Sequence, residues 1–195
     1  MPTYNPYPVS QAVISAIKDR LSDDTYGLNA TYNGLASFYG VEADLAIDWV
    51  GDDNSTGKSR NFALANVSAD QWESTGAFEF PLVTLFTSEG ENVNHEKFHL
   101  FSGPVGIGMN VFLSWKEARL KLAVFEPTLW CMEDAVTQVF NRARNSFPGD
   151  QDWGVQVVYN GNISWKKSRI ETAHEFWGQL LAFNFIFEVN QRGDV

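Results

Sequence analysis

A second cysteine is missing from this sequence. Cys131 stands alone, which excludes an intrachain disulfide and leaves burial as its expected role. Positive charge is scarce as well: Lys and Arg number 14 against 24 Asp and Glu, for a net charge of −10 and a pI near 4.6. Broad electrostatic attraction to nucleic acid or to an anionic membrane is therefore not expected. Long apolar runs are absent too, since the densest, LLAFNFIF at 180–187, is far too short to cross a bilayer as a helix. The start, MPTYNPYPVSQ, lacks the basic and apolar regions of a signal peptide, so the glycosylation-like triplets at Asn29, Asn66 and Asn162 carry no weight. Together these absences predict a soluble protein made in a cytoplasm.

What is present is a globular composition. Hydrophobic residues make up 44% of the 195, with 15 Phe and 7 Trp, which excludes a disordered chain. The length predicts a single α+β domain spanning 1–195, with loop insertions around 51–76 and 88–102. Its organising stretch is 127–147, PTLWCMEDAVTQVFNRARNSF. Leu129, Met132, Val136, Val139, Phe140 and Ala143 recur at spacings of three and four and form one apolar stripe. Pro127 is expected at the first helical position, Arg142 and Arg144 in the last turn, and Pro148-Gly149 beyond the end.

Along the rest of the chain, Ser10 reads as the N-cap of a shorter helix over 11–22. The run 25–40, with three glycines and no clean period, reads as irregular, and Leu45, Ile47 and Trp49 alternate as a half-buried strand should. FEFPLVTLFT at 78–87 reads as a strand whose Pro81 belongs at its start or on an edge. MNVFLSW continues GPVGIG as another strand. After the helix, WGVQVVY at 153–159 and ISWKKSRI at 163–170 read as a hairpin turned by Asn160-Gly161. Leu181, Phe183, Phe185, Phe187 and Val189 alternate along a long last strand.

Three motifs invite a chemical reading. TGKS in the polar loop 51–60 lacks the first glycine of a phosphate-binding loop, because Asp52 occupies that position. HEKFH, 95–99, matches the spacing at which two histidines on one helical turn bind zinc beside a general-base glutamate. Its flanks leave little room for a helix: Ser102 and Val105 stand where an extended zinc motif has glycine and a third histidine, and neither Glu117 nor Glu126 is singled out as a distant ligand. On a strand the same residues make an ordinary half-exposed pattern. The glycines of GPVGIG, 103–108, run in the reverse order of a dinucleotide fingerprint and suit a bulge or a close backbone contact. No catalytic, cofactor-binding or metal site is expected. Lys166, Lys167 and Arg169 read as a solvated strand face, with contact to a phosphate or partner as the sharper alternative.

The order of elements predicts a mixed, mainly antiparallel sheet with one long helix and a shorter N-terminal helix packed on one face. In the helix SQAVISAIKDRL, the strand FPLVTLFT, the strand GIGMNVFLSW leading into a helix with TLWCMEDAVTQVF, and the closing LLAFNFIFEVN, the chain resembles the tail terminator proteins of long-tailed bacteriophages. That resemblance implies a virion protein without enzymatic activity, closed into a ring that is typically six-fold. The ring would cap the tail-tube protein on one side and meet a neck or head-completion protein on the other, with genomic DNA passing through its channel without sequence-specific binding. The loops at 51–60 and 88–97 are the expected partner-facing surfaces, and the acidic composition would suit a channel that does not hold DNA. Another phage neck or head-tail adaptor protein, or a zinc-dependent hydrolase built on His95 and His99, are the alternatives.

Overall fold

The computed structural model describes residues 9–50, 61–66, 79–93, 99–114, 122–142, 155–172 and 175–192. Within them run α1 (Val9–Leu21), α2 (Leu28–Tyr39), β1 (Phe62–Ala63), β2 (Leu82–Gly90), β3 (His99–Ser114), α3 (Leu122–Arg142), β4 (Val155–Thr172) and β5 (Glu175–Arg192). The strands form a five-stranded sheet in the order β1-β2-β3-β5-β4, antiparallel except where the two-residue β1 joins β2. The fold is therefore α+β, with the mainly antiparallel sheet that the sequence predicts. Since β3 and β4 both oppose β5, they are parallel to each other. Helix α3 is then the crossover of a split β-α-β unit into which β5 is inserted.

Helices cover one face of the sheet. Over its described residues the stripe read from the sequence is the buried one: Leu129, Met132, Val136, Val139 and Phe140 are all fully buried, and Ala143 lies outside the described residues. Phe140 stacks on Phe185 at 4.1 Å between ring centroids and meets the edge of Tyr159 at 5.6 Å. The odd-numbered residues of β5, from Leu181 to Val189, face this layer, as do Val105, Ile107, Met109, Val111 and Leu113 of β3. Helix α1 adds Val13, Ile17 and Leu21 to the same core, while α2 lies along α3. A smaller cluster of Leu82, Phe112 and Ile170 occupies one end of the opposite face.

Several sequence readings need correction. Residues 28–39 are helical rather than irregular. Leu28, Thr31, Tyr32 and Ala36 are buried at spacings of three and four, Gly34 meets only open space, and Gly40 closes the helix in the left-handed conformation. Helix α1 starts at Val9, so Ser10 lies inside its first turn instead of capping it. Helix α3 starts at Leu122, which puts Pro127 in its interior at the cost of one backbone hydrogen bond, while Arg144 and Pro148-Gly149 lie outside the described residues. Asn160-Gly161 is not a hairpin turn. It belongs to a bulge within β4, where three residues lie between the pairs Tyr159↔Phe187 and Ile163↔Phe185 and only Ile186 lies opposite, with Gly161 at φ 86. Two extra residues preserve the period of two, so Tyr159 and Ile163 keep the same face. The true reversal falls between Thr172 and Glu175. The insertion expected around 88–102 is shorter, because β2 reaches Gly90 and β3 begins at His99. Residues 51–60 and 67–76 of the other expected insertion lie outside the described residues.

Residues 45–49 keep the alternating burial that the sequence suggests, yet they pair with no strand among the described residues; side-chain amides take its place. Asn33 donates from Nδ2 to the Leu45 carbonyl at 3.0 Å and accepts the Leu45 N–H on Oδ1 at 2.9 Å. Asn29 does the same with Ile47, both contacts at 2.9 Å. Residues four apart on a helix are separated by about 6 Å, close to the two-residue repeat of an extended chain, so one helix face can mimic a strand edge. On the other edge Asn61 accepts from Asp48 N–H and donates to the Ala46 carbonyl, each at 2.9 Å.

The glycines of GPVGIG serve a close approach across the sheet. Phe86 of β2 lies over Gly108 of β3, where an added Cβ would fall 2.3 Å from the Phe86 ring. Ser88 reaches past the same strand to donate to Asn184 Oδ1 of β5 at 3.1 Å.

Candidate functional site

Of the HEKFH histidines only His99 is among the described residues, and it lies on a strand, not on a helix. His99 opens β3 opposite Arg192, and extended backbone there removes the one-face geometry that zinc chemistry needs. Residues 95–98 lie outside the described residues, as do 51–60. Of the two glutamates considered as distant ligands, Glu126 is committed to an ion pair with Lys167, and Glu117 lies outside the described residues. Among the described residues no group of three or more His, Cys, Asp or Glu could hold a metal ion, and no helix is long and apolar enough to cross a membrane.

What the fold does offer is a sheet whose two edges are largely left uncovered by any strand among the described residues. On one side β4 is the outermost strand among the described residues for 18 residues, and an uncovered edge of this kind leaves alternate N–H and C=O groups pointing outward. On the other, β1 covers only Val83 and Thr84, so no strand among the described residues pairs with the outer edge of β2 over 85–90. Residues 87–93 are all exposed, and backbone bonds from Glu91 N–H to the Pro104 carbonyl (3.0 Å) and from Val93 N–H to the Ser102 carbonyl (2.8 Å) carry β2 and β3 outward as one arm.

The two edges differ in charge. Lys166 and Arg169 are exposed on β4, whereas Glu89 and Glu91 are exposed on the β2–β3 arm. Lys167, between the first two, is turned toward α3 instead of being solvated: its Nζ lies 2.7 Å from Glu126 and 2.8 Å from Glu133. Burial opposes its charge, but the two glutamates outweigh that and raise its pKa above the ordinary lysine value. Trp130 shares the α3 stripe of Glu126 and Glu133, and Trp165 precedes Lys167 on the same face of β4. These two tryptophans stay 47% and 48% exposed beside the open edge, in the manner of anchor residues at interfaces. Sequence reasoning missed both. Trp130 is recognisable as lying off the apolar stripe, but nothing local marks β4 as an edge.

Cys131 is an inert thiol in this setting. It is fully buried, its Sγ lies 3.7 Å from the Tyr32 carbonyl oxygen, and burial, reinforced by Asp134, pushes its pKa up to about 11. No protein-family model matches the chain, and no curated protein matches it either.

Proposed function

We propose that this chain is a structural virion protein, the tail terminator of a long-tailed bacteriophage. Copies of it close into a ring, six-fold in the family it resembles, that caps the tail tube and joins it to a neck or head-completion protein. Genomic DNA passes through the ring without sequence-specific contact. The observation that carries this reading is a sheet with two edges that no strand among the described residues covers beyond Val83 and Thr84, and that bear charges of opposite sign. Apposing β4 of one copy to β2 of the next is a heterologous contact, and such contacts generate rings when the rotation closes. Strand directions suit it, because β4 and β2 run antiparallel within one subunit and a turn about an axis along the strands preserves that relation. Lys166 is level with Thr84 across the sheet, whereas Glu89 lies further along β2. Matching these charges staggers adjacent copies, and a closed sheet needs such a stagger.

Native mass spectrometry of the purified protein, followed by electron microscopy, tests this. The expected result is a closed oligomer with a central channel, formed alone or on addition of tail-tube protein, that binds tube ends. A chain that remains monomeric with tail-tube protein present would refute the reading. A ring that binds portal-side proteins but not tube ends would make it a neck adaptor instead.

A further inference from the structure

Side-chain face and backbone direction at the two sheet edges restrict how β4 of one copy meets β2 of the next. On β2, Gly90 lies opposite the core residue Val105 and so belongs to the helix side, whereas Glu89 lies opposite Gly106 on the other face. On β4, Trp165 lies opposite the core residue Phe183 on the helix side, and Lys166 opposite Ala182 on the other face. All four are exposed, as are Ser164 and Glu91. Val83, on the helix side of β2, donates its N–H outward to the Asn61 carbonyl at 2.9 Å, while Glu91 and Val93 donate theirs inward to β3. Gly90 and Asn92, which alternate with them, therefore turn N–H and C=O outward. Strand β4 runs antiparallel to β2 and lies at the other side of the sheet, so a half-turn about the sheet normal superposes the two edges. Trp165, on the helix side, thus turns its own N–H and C=O outward as well.

We propose that Gly90 of one copy is the slot in which Trp165 of the next copy seats, and that this pair sets the register of the ladder between copies; the proposal rests on the ring reading. Trp165 and Gly90 exchange both backbone hydrogen bonds, and the indole lies across the glycine, where no side chain competes for the space. Nothing within the subunit asks for glycine at this position. An added Cβ would come no nearer than 4.0 Å to any atom around it, the Pro104 carbonyl oxygen, and Gly90 is not among the glycines with positive φ. In the same register Lys166 faces Glu89 on the other side of the ladder, at a non-hydrogen-bonded site where side chains approach most closely, and Ser164 meets Glu91. Sliding by two residues keeps a charge pair, Lys166 with Glu91, but sets Trp165 against Asn92, whose side-chain oxygen already accepts the Ser102 N–H at 3.2 Å. It also sets the Ser164 hydroxyl against the apolar Val93. The ladder, 163–167 against 87–92, stops short of Val83 and Thr84, which β1 covers.

The test is oxidative cross-linking of the assembled full chain carrying Lys166→Cys and Glu89→Cys, with copper phenanthroline as oxidant. Opposed residues at a non-hydrogen-bonded site have Cα atoms about 4.5 Å apart, within disulfide range. Within one chain β3 and β5 separate the two strands, so any bridge joins two copies, and Cys131 is buried and stays silent. The expected result is a series of covalent oligomers on a non-reducing gel, ending at the ring size that native mass spectrometry gives. Lys166→Cys with Glu91→Cys should not produce it. Gly90→Val should leave urea unfolding unchanged below the assembly concentration, because the site is exposed and has room. By blocking the indole it should raise the concentration for half-assembly about ten-fold, as should Trp165→Ala. A ring that cross-links only through the second pair, or through neither, or that assembles equally well with Gly90→Val, overturns the register and leaves the ring reading standing. Absence of any ring from the unmodified chain, with tail-tube protein present, refutes both.

Discussion

Replacing Asn33 by alanine tests whether side-chain amides really stand in for a strand. The substitution deletes one donor and one acceptor and strands the Leu45 N–H and C=O, both of which now bond to it. Leu45 itself is buried, whereas Asn33 is half-exposed, so water can reach part of the vacated site. An orphaned buried backbone group costs about 1–3 kcal/mol, and two of them in a half-open site should cost about 2–3 kcal/mol together. Alanine returns roughly 0.5 kcal/mol through its better helix propensity, leaving a net loss of about 1.5–2.5 kcal/mol. Urea unfolding measures that loss, and amide hydrogen exchange localises it to Leu45. Asn33→Asp sharpens the reasoning: the carboxylate still accepts from Leu45 N–H but faces the Leu45 carbonyl, so it should fare little better than alanine. A loss under about 0.5 kcal/mol with unchanged Leu45 protection would show that burial of Leu45, Ile47 and Trp49 alone holds the segment.

Other consequences are equally direct. Phe140→Ala removes a fully buried ring from contact with Phe185 and Tyr159 and should cost about 3–5 kcal/mol in urea or thermal unfolding. Gly108→Ala brings a methyl against the Phe86 ring and should cost about 1–3 kcal/mol. Much of that loss should be absent when the change is made in a Phe86→Leu background, as a double-mutant cycle would report. Lys167→Met leaves Glu126 and Glu133 without their shared cation and should lower stability by about 1 kcal/mol at low salt, less in concentrated NaCl. Cys131 should resist alkylation in the native protein at pH 8 and react after unfolding. Its thiol, normally near 9.0, titrates at about 11 when folded, so its contribution to stability is complete below pH 9 and is lost as pH rises through 11. A Cys131→Ser variant with an unchanged alkaline unfolding profile would contradict that assignment.

Sequence alone determined the elements whose partner surface is generic. The stripe of α3 and the odd positions of β5 are apolar at the period of their own structure, so any layer packed on them yields the same reading. The α+β class follows from their order. Helix α2 was legible in principle, since Leu28, Tyr32, Leu35, Ala36 and Tyr39 share a stripe, but Gly34 and the aromatics obscured it, and packing on α3 overrode their weak helix preference. Asn160-Gly161 carries a strong local hairpin signal that tertiary structure overruled, because β5 supplies a continuous partner on both sides of the bulge. Whether residues 45–49 meet a strand or a row of asparagines, whether β4 is central or outermost, and whether Trp165 and Gly90 share the helix side of the sheet were decided only by tertiary structure. Each of these relations joins residues far apart in the chain. Local spacing encodes which face of an element is buried, while the identity of the neighbour on that face depends on how the whole chain is routed.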